Sequence, residues 1–135
     1  MIVTDTNVIA YLLLEGEHTE QAEAVLLADS EWVAPYLWRS EFRNILALYL
    51  RQGYLELDDA KQIMQEAETL MFGKEFEIQS EQIIDLVKQS RCSASDCEYV
   101  ALAQQLKIDL VTADQKILAE FPSTAINLRS FSSSS

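Results

Sequence analysis

Two aspartates stand directly after short apolar segments that are rich in β-branched residues. Asp5 follows Ile2-Val3-Thr4, and Asp114 follows the segment 110–113. Buried parallel strands have this composition, and ligands of α/β proteins bind where such strands end, at the carboxyl edge of the sheet. Carboxylates that meet at this edge could hold a hard divalent cation. Each aspartate could equally be a helix N-cap, because a helical pattern follows both of them.

A third acid, Glu41, interrupts the apolar face of a predicted helix. The apolar residues on this face are Leu37, Trp38, Ile45 and Leu48. A carboxylate is rarely found on such a face without a partner, because its desolvation is costly. The partner could be a metal ion. The alternative is a basic residue such as Arg39 or Arg43, although neither arginine lies on the same face.

Asp96 lies at the start of another predicted helix. Ser95 is predicted to cap this helix, with Glu98 completing a capping-box pattern. An acid in the first turn is favourable in any helix, which is the simpler interpretation of Asp96. The same helix face carries Tyr99 and Val100, however, so Asp96 is equally predicted to point towards the sheet.

The candidate acids can act together only if their mutual repulsion is removed. Two carboxylates roughly 4 Å apart repel by on the order of 4 kcal/mol at an effective dielectric constant of about 20. Mg²⁺ or Mn²⁺ would remove this cost, and could activate a bound water and stabilise the charge on a phosphodiester. Asn7 and Thr112 could orient the carboxylates or such a water, or could be ordinary turn and strand residues. The candidate catalytic and metal-binding residues are Asp5, Glu41, Asp96 and Asp114.

The elements that must position these acids alternate between strands and helices. Strands are predicted from the N-terminus to residue 4 and at 32–34, 76–78, 108–112 and 125–128. Helices are predicted at 8–14, 19–28, 36–52, from 58 or 59 to 72, and at 80–90, 95–106 and 116–121. This alternation predicts an α/β fold, with a parallel sheet covered by helices on both faces.

The length and composition of the chain favour one domain. It has 135 residues, of which 49% are hydrophobic, so it is long enough to bury a core. We expect a single domain over 1–130 and a serine-rich, disordered tail over 131–135. We expect no membrane span, because no apolar run is long enough, and no signal peptide, because no basic leader precedes the first strand.

Charge and cysteine content narrow the function further. The net charge of −12 argues against a general nucleic-acid binder, unless a bound cation or a local basic patch compensates. Cys92 and Cys97 have no second cysteine pair and no histidine nearby, so they form neither a zinc site nor a disulfide framework. Cytosolic thiols, and hence a cytoplasmic location, are the simplest interpretation. Neither these cysteines nor His18 has a predicted role.

The four acids, in this order and on these elements, resemble the four-acid pattern of PIN-domain ribonucleases. The resemblance runs from Met1 to about Leu128 and is strongest to the VapC toxins of bacterial toxin–antitoxin pairs. It implies a three-layer α/β/α fold with a five-stranded parallel sheet. It also implies Mg²⁺ or Mn²⁺ held by three of the acids, with the remaining one, Glu41, binding metal or positioning water. The three implied metal ligands are Asp5, Asp96 and Asp114.

The resemblance further implies endonucleolytic cleavage of single-stranded RNA, a homodimer, and a VapB-like antitoxin partner. The chain departs from this expectation in being very acidic, with few basic residues to hold RNA. Arg39 and Arg43, followed by Arg51, are the best candidates for phosphate contacts, although they could be solvated helix charges.

Two other functions compete with a nuclease. One is a small phosphatase of the haloacid-dehalogenase type with Asp5 as nucleophile, although that chemistry needs a second acid where this chain has Asn7. The other is a non-catalytic interaction module whose acids bind a basic partner.

Overall fold

A sheet of five parallel strands forms the centre of the molecule in the computed structural model, which describes residues 1–133. The strands are β1 (Ile2–Thr4), β2 (Trp32–Pro35), β3 (Glu75–Phe76), β4 (Leu110–Thr112) and β5 (Ala125–Asn127). Their order is β3-β2-β1-β4-β5. β1 pairs in parallel with β2 on one side and with β4 on the other. The predicted five-stranded parallel sheet is therefore confirmed.

Eight helices connect and cover these strands within the described residues. They are α1 (Thr6–Leu13), α2 (Thr19–Ala28), α3 (Trp38–Arg51), α4 (Leu57–Met71), α5 (Ser80–Gln89), α6 (Ala94–Leu106), α7 (Gln115–Glu120) and α8 (Leu128–Ser133). α1, α2, α3, α4 and α8 pack against one another, and α5 packs against α6. Helices from both groups contact the central strands, as expected for the three-layer α/β/α arrangement. Within residues 1–133, none of them is long and apolar enough to cross a membrane.

The core explains why the strands have continuous apolar sequences. Every residue of β1, β2 and β4 is buried, because helices cover both faces of the sheet. The largest fully buried side chains include Trp32, Trp38 and Phe42. Trp38 and Phe42 meet edge to face, with ring centroids 5.8 Å apart. This packing fixes the first turns of α3, and with them the backbone of Glu41.

The start of α6 differs from the prediction. The N-cap is Ser93, whose Oγ accepts a hydrogen bond of 3.1 Å from the backbone N–H of Asp96. The prediction that Ser95 caps this helix is wrong, and Asp96 is the third helical residue, not the first. The backbone of Asp96 is therefore held by the cap of its own helix.

Two other boundaries also differ. α4 begins at Leu57 with Glu56 at its N-cap position, so neither Asp58 nor Asp59 caps it. The disordered tail is expected from residue 131, but α8 continues through Ser133. Residues 134 and 135 lie outside the described residues, and the division into a domain over 1–130 and a tail over 131–135 stays a prediction.

The corrected cap leads to a test by paired variants. Ser93→Ala removes the side chain that satisfies the Asp96 N–H, so we expect it to lower the free energy of unfolding by about 1 kcal/mol. Ser95→Ala, two residues away, should change it by less than about 0.5 kcal/mol. Urea unfolding of both variants measures the difference. A larger loss from Ser95→Ala would contradict the assigned cap.

Candidate active site

The crevice of the sheet lies where the strand order reverses. β1 is followed along the chain by β2 and β3 on one side, whereas β4 and β5 lie on the other. Asp5 follows β1 and Asp114 follows β4, so both carboxylates stand at this switch point, on the carboxyl edge of the sheet. The convergence that the sequence predicted for these two acids is found in the structure.

Both aspartates are also helix N-caps. Asp5 Oδ1 accepts a hydrogen bond of 3.1 Å from the backbone N–H of Val8 in α1. Asp114 Oδ1 accepts one of 3.0 Å from the N–H of Ile117 in α7. The capping interpretation is confirmed for both, and it does not exclude a site, because one oxygen of each carboxylate caps while the residue still lines the crevice.

We call the cavity at this point the acid cavity. It has a volume of about 290 Å³. All four predicted acids line it, and so does Asn7. The other lining residues are Thr6, Asn44, Ile45, Tyr99 and Ile117. Side chains from β1–α1, α3, α6 and β4–α7 therefore meet in one place, although they are far apart in the sequence.

Thr112 lies behind the cavity and links the two strand-ending acids. Its Oγ1 accepts a hydrogen bond of 3.0 Å from the backbone N–H of Asp114. The same hydroxyl donates to Asp5 Oδ2. Because the hydroxyl accepts from one acid's loop and donates to the other acid's side chain, it fixes the position of Asp5 relative to Asp114. Its supporting position agrees with the prediction, whereas its role in catalysis stays a prediction.

The Asp5 carboxylate is strained electrostatically. Only 6% of the residue is exposed. Burial, with smaller contributions from the charges of Asp114 and Glu41, raises the pKa of Asp5 to about 6, although hydrogen bonds from Thr112 and Val8 lower it. Ionised Asp5 therefore costs folding free energy, and a cation in the cavity would offset that cost.

Glu41 has partners that the sequence did not reveal. Its Oε1 accepts hydrogen bonds from Thr6 Oγ1 at 2.8 Å and from the Tyr99 hydroxyl at 2.6 Å. The two hydroxyls also contact each other at 2.6 Å. Burial and the nearby charge of Glu41 raise the pKa of Tyr99, so its hydroxyl keeps its proton and donates. The alternative prediction, in which Arg39 or Arg43 is the partner of Glu41, is wrong.

Arg39 instead binds acids away from the cavity. Its guanidinium donates to Glu75 at 2.5 and 2.8 Å and to Glu68 at 3.1 Å. This hydrogen bonding lowers the pKa of Glu75, which also accepts from the Trp38 indole. Arg43 is exposed and borders an apolar groove formed by α3 and α4. Neither arginine lines the acid cavity, and their contact with RNA stays a prediction.

Three polar residues that line the acid cavity were not predicted from the sequence. Thr6 and Tyr99 orient Glu41, and Asn44 stands one helical turn after it. A signal was present for Tyr99, which follows Asp96 by one turn on the packed face. The pairing of Tyr99 with Glu41 depends on how α3 and α6 pack, which local spacing does not encode.

The oxygen atoms that line the cavity are suitable ligands for a hard cation, but they are not close enough together to surround one. Apart from the Tyr99 hydroxyl, the ionisable groups of the cavity are carboxylates, and no lysine or arginine lines it within residues 1–133. In the same part of the chain, no three His, Cys, Asp or Glu side chains come close enough to hold a metal by themselves. Mg²⁺ keeps several waters and needs only one or two carboxylates directly, so the wider spacing suits it.

The two cysteines lie in the core. Both are buried free thiols. Burial, with smaller contributions from Asp96 and other nearby groups, raises the pKa of Cys92 to about 11, and burial also raises the pKa of Cys97. Neither lines the acid cavity, and the structure places both in the core.

The fold and site define an α/β protein with an acidic cavity at the switch point of its sheet. The sequence profile of the PIN domain matches residues 2–122. The chain therefore belongs to the PIN domain family, in agreement with the resemblance seen in its residues.

Individual relatives agree with this assignment. Ribonuclease VapC3 from Pyrobaculum aerophilum is 28% identical over 124 residues, which cover 90% of this chain and 95% of that protein. PAE2754 from the same organism superposes with a TM-score of 0.78 at 16% identity, over 98% of this chain and 94% of that one.

Two further solved structures share the fold. FitAcB from Neisseria gonorrhoeae has a TM-score of 0.71 and 20% identity, over 95% of this chain and 98% of that one. A toxin–antitoxin complex from Klebsiella pneumoniae has a TM-score of 0.70 and 17% identity, with the same coverage.

The raised pKa of Asp5 predicts that Asp5→Asn increases the free energy of unfolding by an amount that depends on pH. The folded state binds a proton at Asp5 more tightly than the unfolded state, whose pKa is near 3.8. Wild-type protein without metal therefore loses stability between about pH 4 and pH 6 from this group, by up to about 3 kcal/mol. Asp5→Asn retains a capping oxygen and has no charge to bury, so it avoids that loss of stability. Its gain is reduced by the loss of the hydrogen bond that Thr112 donates to Asp5.

Urea unfolding in EDTA from pH 4 to pH 8 measures this gain. The stability difference between Asp5→Asn and wild type should grow up to about pH 7 and then level off. Asp85→Asn, at an exposed position on α5, is the control and should show no such rise. An Asp5→Asn profile parallel to that of wild type would contradict the buried-charge interpretation.

Proposed function

We propose that this protein is a divalent-metal-dependent endoribonuclease that hydrolyses phosphodiester bonds in RNA. One observation carries the proposal: four carboxylates from distant parts of a PIN-domain chain line a single cavity at the switch point of the sheet. The similarity to a protein named a ribonuclease supports the choice of RNA as substrate.

The residues present suit Mg²⁺ or Mn²⁺. Asp5, Asp96 and Asp114 would hold the ion, directly or through its bound waters, with Glu41 binding it or acting beside it. When bound, such an ion lowers the pKa of a coordinated water and stabilises the charge of the phosphate. The raised pKa of Asp5 supports this assignment, because burial, with smaller contributions from Asp114 and Glu41, makes its ionised form costly unless a cation is nearby.

The protein's own groups have separable tasks in this proposal. Thr112 and the two helix caps hold Asp5 and Asp114 in place. Glu41 Oε1 is occupied by two hydroxyls, which leaves Oε2 to orient the attacking water or accept its proton. Asn7, at the exposed mouth of the cavity, would donate its side-chain amide to a phosphate oxygen.

We further propose that the nuclease is the toxin of a toxin–antitoxin pair and acts in the cytoplasm. The similarity to a VapC protein and to a solved toxin–antitoxin complex supports an antitoxin partner of the VapB type. A homodimer belongs to the same proposal.

An apolar groove between α1, α3 and α4 offers a surface for a partner. It is lined by Leu13, Leu14, Tyr49, Tyr54, Leu55 and Ile63.

The nuclease hypothesis accounts for more than its competitors do. A phosphatase with Asp5 as nucleophile needs a second acid two residues later, where this chain has Asn7, and both oxygens of Asp5 already accept hydrogen bonds. An interaction module would not require Glu41 to be oriented by two hydroxyls from other helices.

Cleavage by matched variants tests the proposed activity. Purified wild type should cut single-stranded RNA when Mg²⁺ or Mn²⁺ is added and should stop in EDTA. Asp96→Asn removes a metal-facing charge without touching the α6 cap, so its rate should fall by on the order of 100-fold or more. Asp109→Asn, an exposed loop aspartate, is the control and should cut normally. Wild type that neither cuts RNA nor binds either ion by calorimetry would refute the proposal.

A second activity prediction concerns the orientation of Glu41. Tyr99→Phe removes one of the two hydroxyls that hold Oε1, and we expect the cleavage rate to fall about tenfold. Thr6→Val should act similarly, whereas Thr6→Ser should retain most of the rate because it keeps the hydroxyl. Tyr54→Phe alters an exposed tyrosine and serves as the control. Equal rates for Tyr99→Phe and wild type would show that the hydroxyl does not position Glu41 for catalysis.

A further inference from the structure

A second cavity opens at the carboxyl edge of the sheet, beyond β4 and β5. Its volume is about 580 Å³. Ala113 and Gln115 line it, and Asp114, which stands between them in the sequence, lines the acid cavity. The short β4–α7 connection is therefore a shared wall, and a chain lying across it would touch both cavities.

The chemistry of this second cavity is opposite to that of the acid cavity. We call it the amide cavity, after three of its lining residues: Gln21, Gln115 and Asn127. It is also lined by Tyr11, His18 and Arg129. The chain has 22 aspartates and glutamates, yet none of them lines the amide cavity within residues 1–133. Glu17 contacts one lining residue, His18, at 3.3 Å, but does not itself line the cavity.

We propose that the amide cavity binds a nucleobase of the RNA chain, next to the phosphate that enters the acid cavity. This inference depends on the proposed ribonuclease function, because it assigns a subsite to that substrate. It makes the cavity a determinant of which nucleotide stands beside the cut.

The side chains match a base better than they match a phosphate alone. Side-chain amides present a donor and an acceptor together, which is the pattern that base edges offer. Single-stranded RNA exposes these edges and also the faces of its bases, which stack on aromatic side chains. Tyr11 and His18 supply such a surface, with ring centroids 4.6 Å apart and planes inclined at 38°.

Asn127 has a defined orientation at the end of β5. Its Oδ1 accepts a hydrogen bond of 2.8 Å from the backbone N–H of Arg129. This bond commits the oxygen and fixes the side chain, which leaves the amide NH₂ as the group that can donate to a ligand. A donor fixed in this way would favour a base with an acceptor at the matching position. The charge of Arg129, which also lines the cavity, would favour the attached phosphate.

Mononucleotide binding tests the inference without catalysis. The four nucleoside 5′-monophosphates, ribose 5-phosphate and inorganic phosphate would each be titrated into the ¹⁵N-labelled full chain in EDTA. We expect at least one nucleotide to shift the side-chain amide signals of Asn127 and Gln115, while ribose 5-phosphate does not. Equal shifts with ribose 5-phosphate would overturn base recognition, and no shift with any nucleotide would overturn the subsite.

Variants connect the subsite to cleavage. Asn127→Asp retains the acceptor for the Arg129 N–H but removes the donor, so affinity for the preferred nucleotide should fall about three- to tenfold. Tyr11→Ala should weaken it roughly fivefold or more through lost stacking. Gln105→Ala, exposed on α6, is the control and should bind as wild type does.

Sequencing the fragments of a randomised RNA identifies the subsite in the reaction. Wild type should prefer one nucleotide at a fixed distance from the cut, and Asn127→Asp should lose that preference while still cutting. A preference that survives in Asn127→Asp would overturn the inference. Failure of the ribonuclease proposal is distinguishable, because then wild type would cut nothing although the titration in EDTA could still be read.

Discussion

The buried charge of Asp5 is the constraint on which the site depends. The carboxylate lies at the end of the central strand, where the reversal of strand order opens a crevice that no helix fills. The hydrogen bonds from Thr112 and Val8 offset its desolvation only in part, and the charges of Asp114 and Glu41 add a smaller cost. The metal-free protein therefore folds at the cost of a buried charge, and a cation that binds in the cavity stabilises the folded state by compensating that charge.

Two of these acids also determine the local fold. Asp5 and Asp114 each end a strand, begin a helix and border the cavity, so one residue serves three purposes. The caps use backbone N–H groups, which the helices would otherwise leave unsatisfied. Because the same hydrogen bonds that start α1 and α7 also orient the carboxylates, the geometry of the site is as rigid as the packing of these helices.

The sequence predicted well those features that are encoded locally. A β-branched run followed by an acid is a local pattern, and it located both Asp5 and Asp114 and the parallel sheet. The start of α6 was not determined in this way, because Ser93 and Ser95 each stand three residues before an acid and offer overlapping caps. Which one forms depends on the burial of Cys97 and Tyr99 against the sheet, which is a tertiary effect.

Glu41 shows the same limit in another form. Its place on an apolar face correctly indicated that it needs a partner, since an unpaired carboxylate there would be costly. The nearby arginines were the visible candidates, but Arg39 is committed to Glu75 and Glu68. The true partners, Thr6 and Tyr99, lie 35 and 58 positions away along the chain. Their identity depends on the arrangement of three helices, which a single sequence does not specify.

The distribution of charge resolves the conflict between a net charge of −12 and a polyanionic substrate. The carboxylates in the acid cavity would repel RNA unless a cation neutralises them. The attraction of an RNA phosphate to this cavity therefore depends on a bound metal ion and is confined to the cavity. The neighbouring amide cavity has Arg129 in its lining and otherwise must hold the substrate through groups other than lysine and arginine. Neutral amides and aromatic rings do this through hydrogen bonds and stacking, which salt screens far less than it screens phosphate contacts. A chain built in this way would bind RNA weakly in general and would discriminate by the base beside the cut, in contrast to a basic protein that holds any sequence by its backbone.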